Sequence, residues 1–386
     1  MRRFGPVLCS LAVAACAQQD VTAPLTRAPS ASLDRRGGEG HSGNGDERGA
    51  VYTITNSAAG NAVRSYSRAD DGTLTFVADY PTGGTGTGGG LGNASALIFA
   101  RDGRFLIAVN PGSNEISSFR ISSLGLSLVN TIASDGKGPV SVTASGNRVY
   151  ALNAGGTGNI AGFHISNDGA LSPILNSSRA LSSATAGAAQ IAFDPEGEQL
   201  VVTEKATSRI LTFPVNEDDL AGPALVHVSA GQTPFGFEFS NRGLLIVSEA
   251  FGGAPGASAA SSYRLTDDGQ LDARSASVPT TQTAACWVAI TPNSRFAYLT
   301  NTGSNTITGY RIQRDGSLAR LESNGISATT GAAPTDAAFS SNGRFLYALN
   351  ADGRSISIFQ VSEHGALVAI GTTSDVPAGA TGLAAR

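Results

Sequence analysis

The sequence predicts an all-β fold: a seven-bladed β-propeller of four-stranded antiparallel blades, its ring closed by the N- and C-terminal strands in one blade. Three observations predict it. First, a turn followed by leucine recurs: "DDGTL" at 70–74, "NDGAL" at 167–171, "DDGQL" at 267–271, "RDGSL" at 314–318 and "EHGAL" at 363–367, with weaker copies "LGLSL" at 124–128 and "EDDLAG" at 217–222. The six intervals between Gly72 and Gly365 average about 49 residues, a period that marks propellers. Second, the composition is that of a turn-rich β protein, with 48 Gly and a single Met. Third, the two ends of the chain look like halves of one unit.

Taken in order, the chain begins with Arg2 and Arg3 before the short apolar run "FGPVLCSLAVAAC". That is the layout of a secretion signal, too short to span a bilayer. "VAAC" at 13–16 resembles a bacterial lipobox, so residues 1–16 read as a lipoprotein-type signal peptide ending at Cys16, the lipidation site. Residues 17–48 are polar and Gly-rich and read as a flexible tether. The expected location is the bacterial cell envelope: lipid-anchored at the outer membrane or periplasmic face, or otherwise secreted.

Residues 49–386 read as the propeller. The last unit shows its grammar: "TDAAFS" (335–340), "FLYALN" (345–350), "SISIFQV" (355–361) and "ALVAIGTT" (366–373) are β-branched or aromatic runs between turn residues. Asp-Gly, Asn-Gly and His-Gly pairs supply the positive φ of tight hairpins. The first unit opens at "AVYTITN" (50–56), the counterpart of "FLYALN", and so lacks an innermost strand. "GATGLAAR" (379–386) matches the missing piece, so the C-terminal strand is expected to complete the blade that the N-terminus begins.

Net charge is −4, which argues against nucleic acid as a partner. After the leader only Cys16 and Cys286 remain, so no disulfide forms inside the domain. No zinc spacing, phosphate-binding loop or nucleophile elbow is present, and neither metal nor cofactor is expected. The Gly-rich stretch 84–90 lies between two units rather than between a strand and a helix. A monomer is expected.

The wording "PTDAAFSSNGRFLYALNADGRSISIFQV" (334–361) resembles the seven-bladed lactonase family, which includes bacterial 6-phosphogluconolactonase and fungal carboxymuconate cyclase. The resemblance extends over residues 50–386. It implies a hydrolase or cycloisomerase acting on lactones, with His and Arg around the channel to grip anionic substrates. This chain departs from that pattern. His41 is in the tether, His164 in a third strand, His227 in an outer strand and His364 in a hairpin turn. The inner-strand starts read "AAQIAF", "CWVAIT" and "PTDAAF", without Arg, which suits an uncharged lactone better than a phosphosugar.

The repeat also serves as a ruler for the site. In a four-stranded blade the end of the second strand meets the start of the inner strand on one face, where the channel mouth is expected. The second strands end in Asn56, Asn110, Asn153, Glu204, Glu249, Asn301 and Asn350. Asn at such a position bonds local backbone. Glu204 and Glu249 break the pattern in adjacent units and are the candidate catalytic carboxylates. Their plain alternative is pairing with neighbouring cations such as Lys205 and Arg209, which are also candidate substrate contacts. Gln190, Trp287 and Asp336 share one register at the inner-strand starts and are candidate pocket residues, with Asn153 and Asn301 orienting carbonyl oxygens. Cys286, beside Trp287, reads as a small buried hydrophobe. The insertion "AFGGAPGASAASS" (250–262) is a candidate rim loop. Two functions follow: an exported lactonase-like enzyme with a site on the channel-mouth face, or a non-catalytic surface propeller that holds a ligand or protein partner on that face.

Overall fold

Seven antiparallel sheets succeed one another along the chain in a computed structural model that describes residues 49–386. The signal segment 1–16 with Cys16, and residues 17–48 with His41, lie outside the described residues. Blade 1 is built from both ends of the chain. Its inner strand, Thr381–Ala385, pairs with Ala50–Ile54, followed outward by Ala62–Arg68 and Leu74–Pro81. The ring therefore closes as the complementary ends predict. The other inner strands are Leu97–Ala100, Lys137–Ser145, Ala188–Phe193, Pro234–Phe239, Ala285–Ile290 and Pro334–Phe339, in blades 2 to 7. In blades 3 and 6 the outer strand is split in two, as Leu171–Pro173 with Arg179–Ala180 and Leu318–Arg320 with Ala328–Thr329.

The recurring turn earns its repetition by locking blades together. Each marker forms the hairpin between third and outer strands, and in the five clear copies its glycine has positive φ, as at Gly72 (+90°), Gly169 (+93°) and Gly365 (+90°). The same glycines leave no room for a side chain. A Cβ on Gly365 would lie 2.6 Å from the ring of Phe296 one blade back, and a Cβ on Gly72 would lie 2.5 Å from Phe345. The turn carbonyl is captured as well, since Tyr298 Oη donates to Gly365 O (2.8 Å) and Tyr347 Oη to Gly72 O (3.0 Å). The second of these pairs joins blade 7 to blade 1 across the closure.

The second strands are fully buried in blades 1, 2 and 4 to 7, and their apolar residues form the core between blades. The inserted segment of blade 5 is shorter than the sequence suggests. Its third strand already begins at Ala259, because Ser261 and Ser262 pair with Val247 and Ile246. Only residues 250–258 are loop, with a 3-10 turn at Phe251–Gly253.

Candidate functional site

The ends of the second strands are structural. In blades 6 and 7 the asparagine donates to two third-strand hydroxyls: Asn301 Nδ2 to Thr306 and Thr308 Oγ1 (3.1 and 2.9 Å), and Asn350 Nδ2 to Ser355 and Ser357 Oγ (3.0 and 2.9 Å). Glu249 does the same work with a longer reach. It accepts from Ser261, the register equivalent of Ser357, and from Ser277 Oγ (2.5 Å) and Gly231 N (2.8 Å). Burial pushes its carboxyl upward, against the pull of those donors. Beside Glu204 the corresponding third-strand positions are Arg209 and Leu211, which offer no hydroxyl. Glu204 turns instead to the N–H and hydroxyl of Ser182 and to Thr207 Oγ1 (2.6 Å).

Both glutamates are wholly buried within their own blades, and neither lines the axial cavity described below. The two candidate carboxylates share no hydrogen-bond donor, and each sits in its own cradle of hydroxyl and N–H groups. Asn153 likewise serves the backbone, donating to Ser134 O (3.0 Å). Arg209 is the cross-strand partner of Glu204, but hydroxyls rather than a guanidinium satisfy that carboxylate.

The face where the inner strands begin is covered. Segment 83–96, which contains the Gly-rich stretch, folds over the axis, and Ala94 N reaches Ala189 O two blades away (3.1 Å). Beneath it Ala94, Ala189, Phe235, Cys286 and Trp287 form a packed apolar cluster. The rings of Phe235 and Trp287 lie 5.1 Å apart. Lys205 is drawn into this plug: its ammonium sits 4.7 Å from the Phe235 ring and donates to Gly92 O. Trp287 therefore floors the channel rather than walling its mouth. Among the described residues its buried indole N–H has no hydrogen-bond partner.

Below the plug lies an axial cavity of about 600 Å³. At one end its lining is the buried Ala94 and Trp287, and at the other the exposed Pro195, Asn241, Pro292 and Ser341, so it opens where the inner strands end. Among the described residues that line it there is no Arg, Lys or His.

The innermost strand of each blade presents unpaired N–H groups to the axis, and the preceding blade supplies acceptors. Ser141 Oγ accepts from Ile191 N (3.1 Å), Gln190 Oε1 from Phe237 N (2.7 Å) and Asp336 Oδ2 from Leu383 N (3.1 Å), all from one register position. Two residues further along, Thr143 Oγ1 accepts from Phe193 N (3.0 Å) and Glu238 Oε2 from Ile290 N (2.5 Å). Hydroxyl and amide groups suffice for this task, yet two blades use acids.

Desolvation pushes both acids upward. Glu238 is pushed up to about 8 by desolvation, opposed by the Ile290 N–H and reinforced by the charge of Asp336. Asp336 is likewise pushed up to about 8 by desolvation, against the N–H groups of Ala337 and Leu383. Asp336 has both oxygens engaged, whereas among the described residues only Oε2 of Glu238 is bonded.

Gln190, Trp287 and Asp336 therefore meet around one cavity as their shared register predicts, while Glu204, Glu249, Asn153 and Asn301 stand apart from it. Glu238 escaped the sequence reading. Its signal was a charge inside the apolar run "PFGFEF" (234–239), at the register of Thr143. Among the described residues no group of His, Cys, Asp and Glu could hold a metal ion, and no helix is long and apolar enough to cross a membrane.

The family described as "Lactonase, 7-bladed beta-propeller" matches residues 19–180 and 183–381. Among solved structures the chain is similar to a putative 6-phosphogluconolactonase from Bacteroides uniformis, with TM-score 0.72, 19% identity, and 89% of this chain and 100% of that one covered. A putative 6-phosphogluconolactonase from Bacteroides fragilis gives TM-score 0.71 and 18% identity, covering 88% and 98%. The periplasmic gluconolactonase PpgL of Pseudomonas aeruginosa gives TM-score 0.68 and 16% identity, covering 87% and 99%. No curated protein matches the sequence.

Proposed function

The chain belongs to the seven-bladed β-propeller lactonase family, and on that premise we propose that it is an exported lactone hydrolase acting on an uncharged lactone within the axial cavity. One observation carries this reading. At a register position where a threonine hydroxyl serves the fold elsewhere, Glu238 places a carboxyl whose second oxygen is left over for chemistry. With a pKa of about 8 it is ionised in about one molecule in ten at pH 7. In that form it takes a proton from water as the water oxygen bonds to the lactone carbonyl carbon. It then returns the proton to the ring oxygen as the ring C–O bond breaks, and a hydroxy acid results. Asp336, holding its own proton, donates to the carbonyl oxygen as negative charge gathers there. The absence of cations from the lining favours a neutral substrate.

Glu238→Gln keeps an acceptor for Ile290 N–H and removes the base. It is expected to lower turnover of a neutral lactone at least ~100-fold with a melting temperature no lower than that of the wild type. Wild-type activity should rise with pH through about 8. The service of both acids to neighbouring backbone favours a second reading, a non-catalytic propeller that binds a ligand in the same cavity. Saturable binding with no turnover of any lactone would establish that instead.

Export rests on the Arg2–Arg3 leader and the lipobox at 13–16, and the periplasmic location named for the Pseudomonas relative supports it. Cys16→Ala is expected to move the protein from the membrane to the soluble fraction, and retention in the membrane would refute the anchor.

A further inference from the structure

Building on that reading, we infer that the substrate carries an apolar substituent, seated at the open end of the cavity against Phe99, Phe193, Phe239 and Phe339. These four phenylalanines occupy one register, opposite Leu106, Leu200, Leu245 and Leu346 in their blades, and all four line the cavity. Three of them, Phe99, Phe239 and Phe339, are only half-buried although they lie inside the ring. Each has an aromatic neighbour on one side, such as Tyr52 against Phe99 at 6.0 Å and Tyr298 against Phe339 at 5.8 Å. Partly exposed rings gathered around a concavity are the usual mark of a site for an apolar group.

The polar groups of the lining point the same way, because they are already in use. Gln190 spends both ends of its amide on Phe237 backbone and Ser95. Thr143 serves Phe193 N, and Asn241 donates to Pro292 O (2.7 Å). A sugar lactone would bring several hydroxyls into this space with few free partners, and each unpaired one is costly. An alkyl chain needs no partners. A cavity of about 600 Å³ holds a lactone ring beside Glu238 with a chain running toward the open end.

The test measures binding and turnover separately on the intact protein. Binding is followed through Trp287, the single tryptophan of the chain, during titration with γ-alkyl γ-lactams, which do not hydrolyse. Affinity is expected to rise roughly three- to fourfold per added methylene until the cavity is full. Turnover of the matching γ-alkyl butyrolactones should follow the same slope and exceed that of gluconolactone and 6-phosphogluconolactone. Phe239→Ser with Phe339→Ser should flatten the slope. Ala338→Phe, which fills the same space without removing a core ring, should shorten the longest chain that still gains affinity. A flat slope in the wild type, or preference for either sugar lactone, overturns the inference and leaves lactone hydrolysis standing. A steep lactam slope with no turnover of any lactone upholds the apolar site and removes the hydrolase.

Discussion

At the residue scale, Glu249, which the repeat singles out, joins several strands through its own hydrogen bonds. Its three donors, Gly231 N–H, Ser261 and Ser277, tie the second strand of blade 5 to the third and outer strands and to the preceding connection. An asparagine would reach the Ser261 position, as Asn350 reaches Ser357, but the extra methylene lets the carboxyl reach Ser277 as well. Glu249→Gln keeps an acceptor for Gly231 and fills the same space, so a loss of about 1 kcal/mol is expected. Glu249→Ala abandons all three donors in a buried setting and should cost about 3 kcal/mol or more. Urea denaturation of both variants checks the order, and equal stability of the two would contradict the cradle. The repeat identified Glu249 as an exception because it departs from the Asn at that position. It did not reveal the reason, because Ser277 lies 28 residues away and meets Glu249 only once the outer strand has folded back. Asp336 and Gln190 were legible because a single register count places them on the axis. Glu238 needed the count carried two residues further.

At the element scale, the hairpin between third and outer strands does two jobs at one glycine, and the two are separable. Gly365, and Gly103 in the hairpin between the inner and second strands of blade 2, both have positive φ, +90° and +76°. A Cβ on Gly103 would meet nothing within 4 Å, whereas one on Gly365 would meet Phe296 at 2.6 Å. Gly103→Ala therefore measures the backbone strain alone, on the order of 1 kcal/mol. Gly365→Ala adds the displacement of a core phenylalanine and strains the Tyr298 bond, and should cost about 2 kcal/mol more. Thermal melts of the two variants give the difference, and matching melting temperatures would mean that the hairpin does not lock the blades. This double constraint explains why the turn-plus-leucine marker was the most legible feature of the chain. The covering segment 83–96 was the least legible, because nothing in a run of Gly and Thr records that Ala94 crosses to Ala189.

At the scale of the whole molecule, protonation and ring closure meet at Asp336. Its Oδ2 holds Leu383 N–H, so it fastens the C-terminal strand that completes blade 1 to the inner strand of blade 7. Asp336 and Glu238 both titrate near 8 in the folded chain, against about 4 in an unfolded one. Between those values the folded state holds more protons than the unfolded state, so stability falls as pH rises. Their contribution is complete below about pH 4 and is lost as pH climbs through about 8. Glu249, also raised by burial, acts in the same direction. His227, depressed by desolvation, acts in the opposite direction below its ordinary value of 6.5, so the carboxyl effect is cleanest above pH 7. The wild-type melting temperature should drop between pH 7 and 8 and level off beyond. Asp336→Asn and Glu238→Gln together should flatten that segment, because neither amide titrates while each still offers an oxygen to Leu383 or Ile290. Hydrogen exchange gives the spatial check: on passing pH 8 protection should be lost first at Leu383, at the joint between the two ends of the chain. A melting temperature that rises from pH 7 to 8, or a double variant as steep as the wild type, would show that these acids are not the groups that couple the ring to pH.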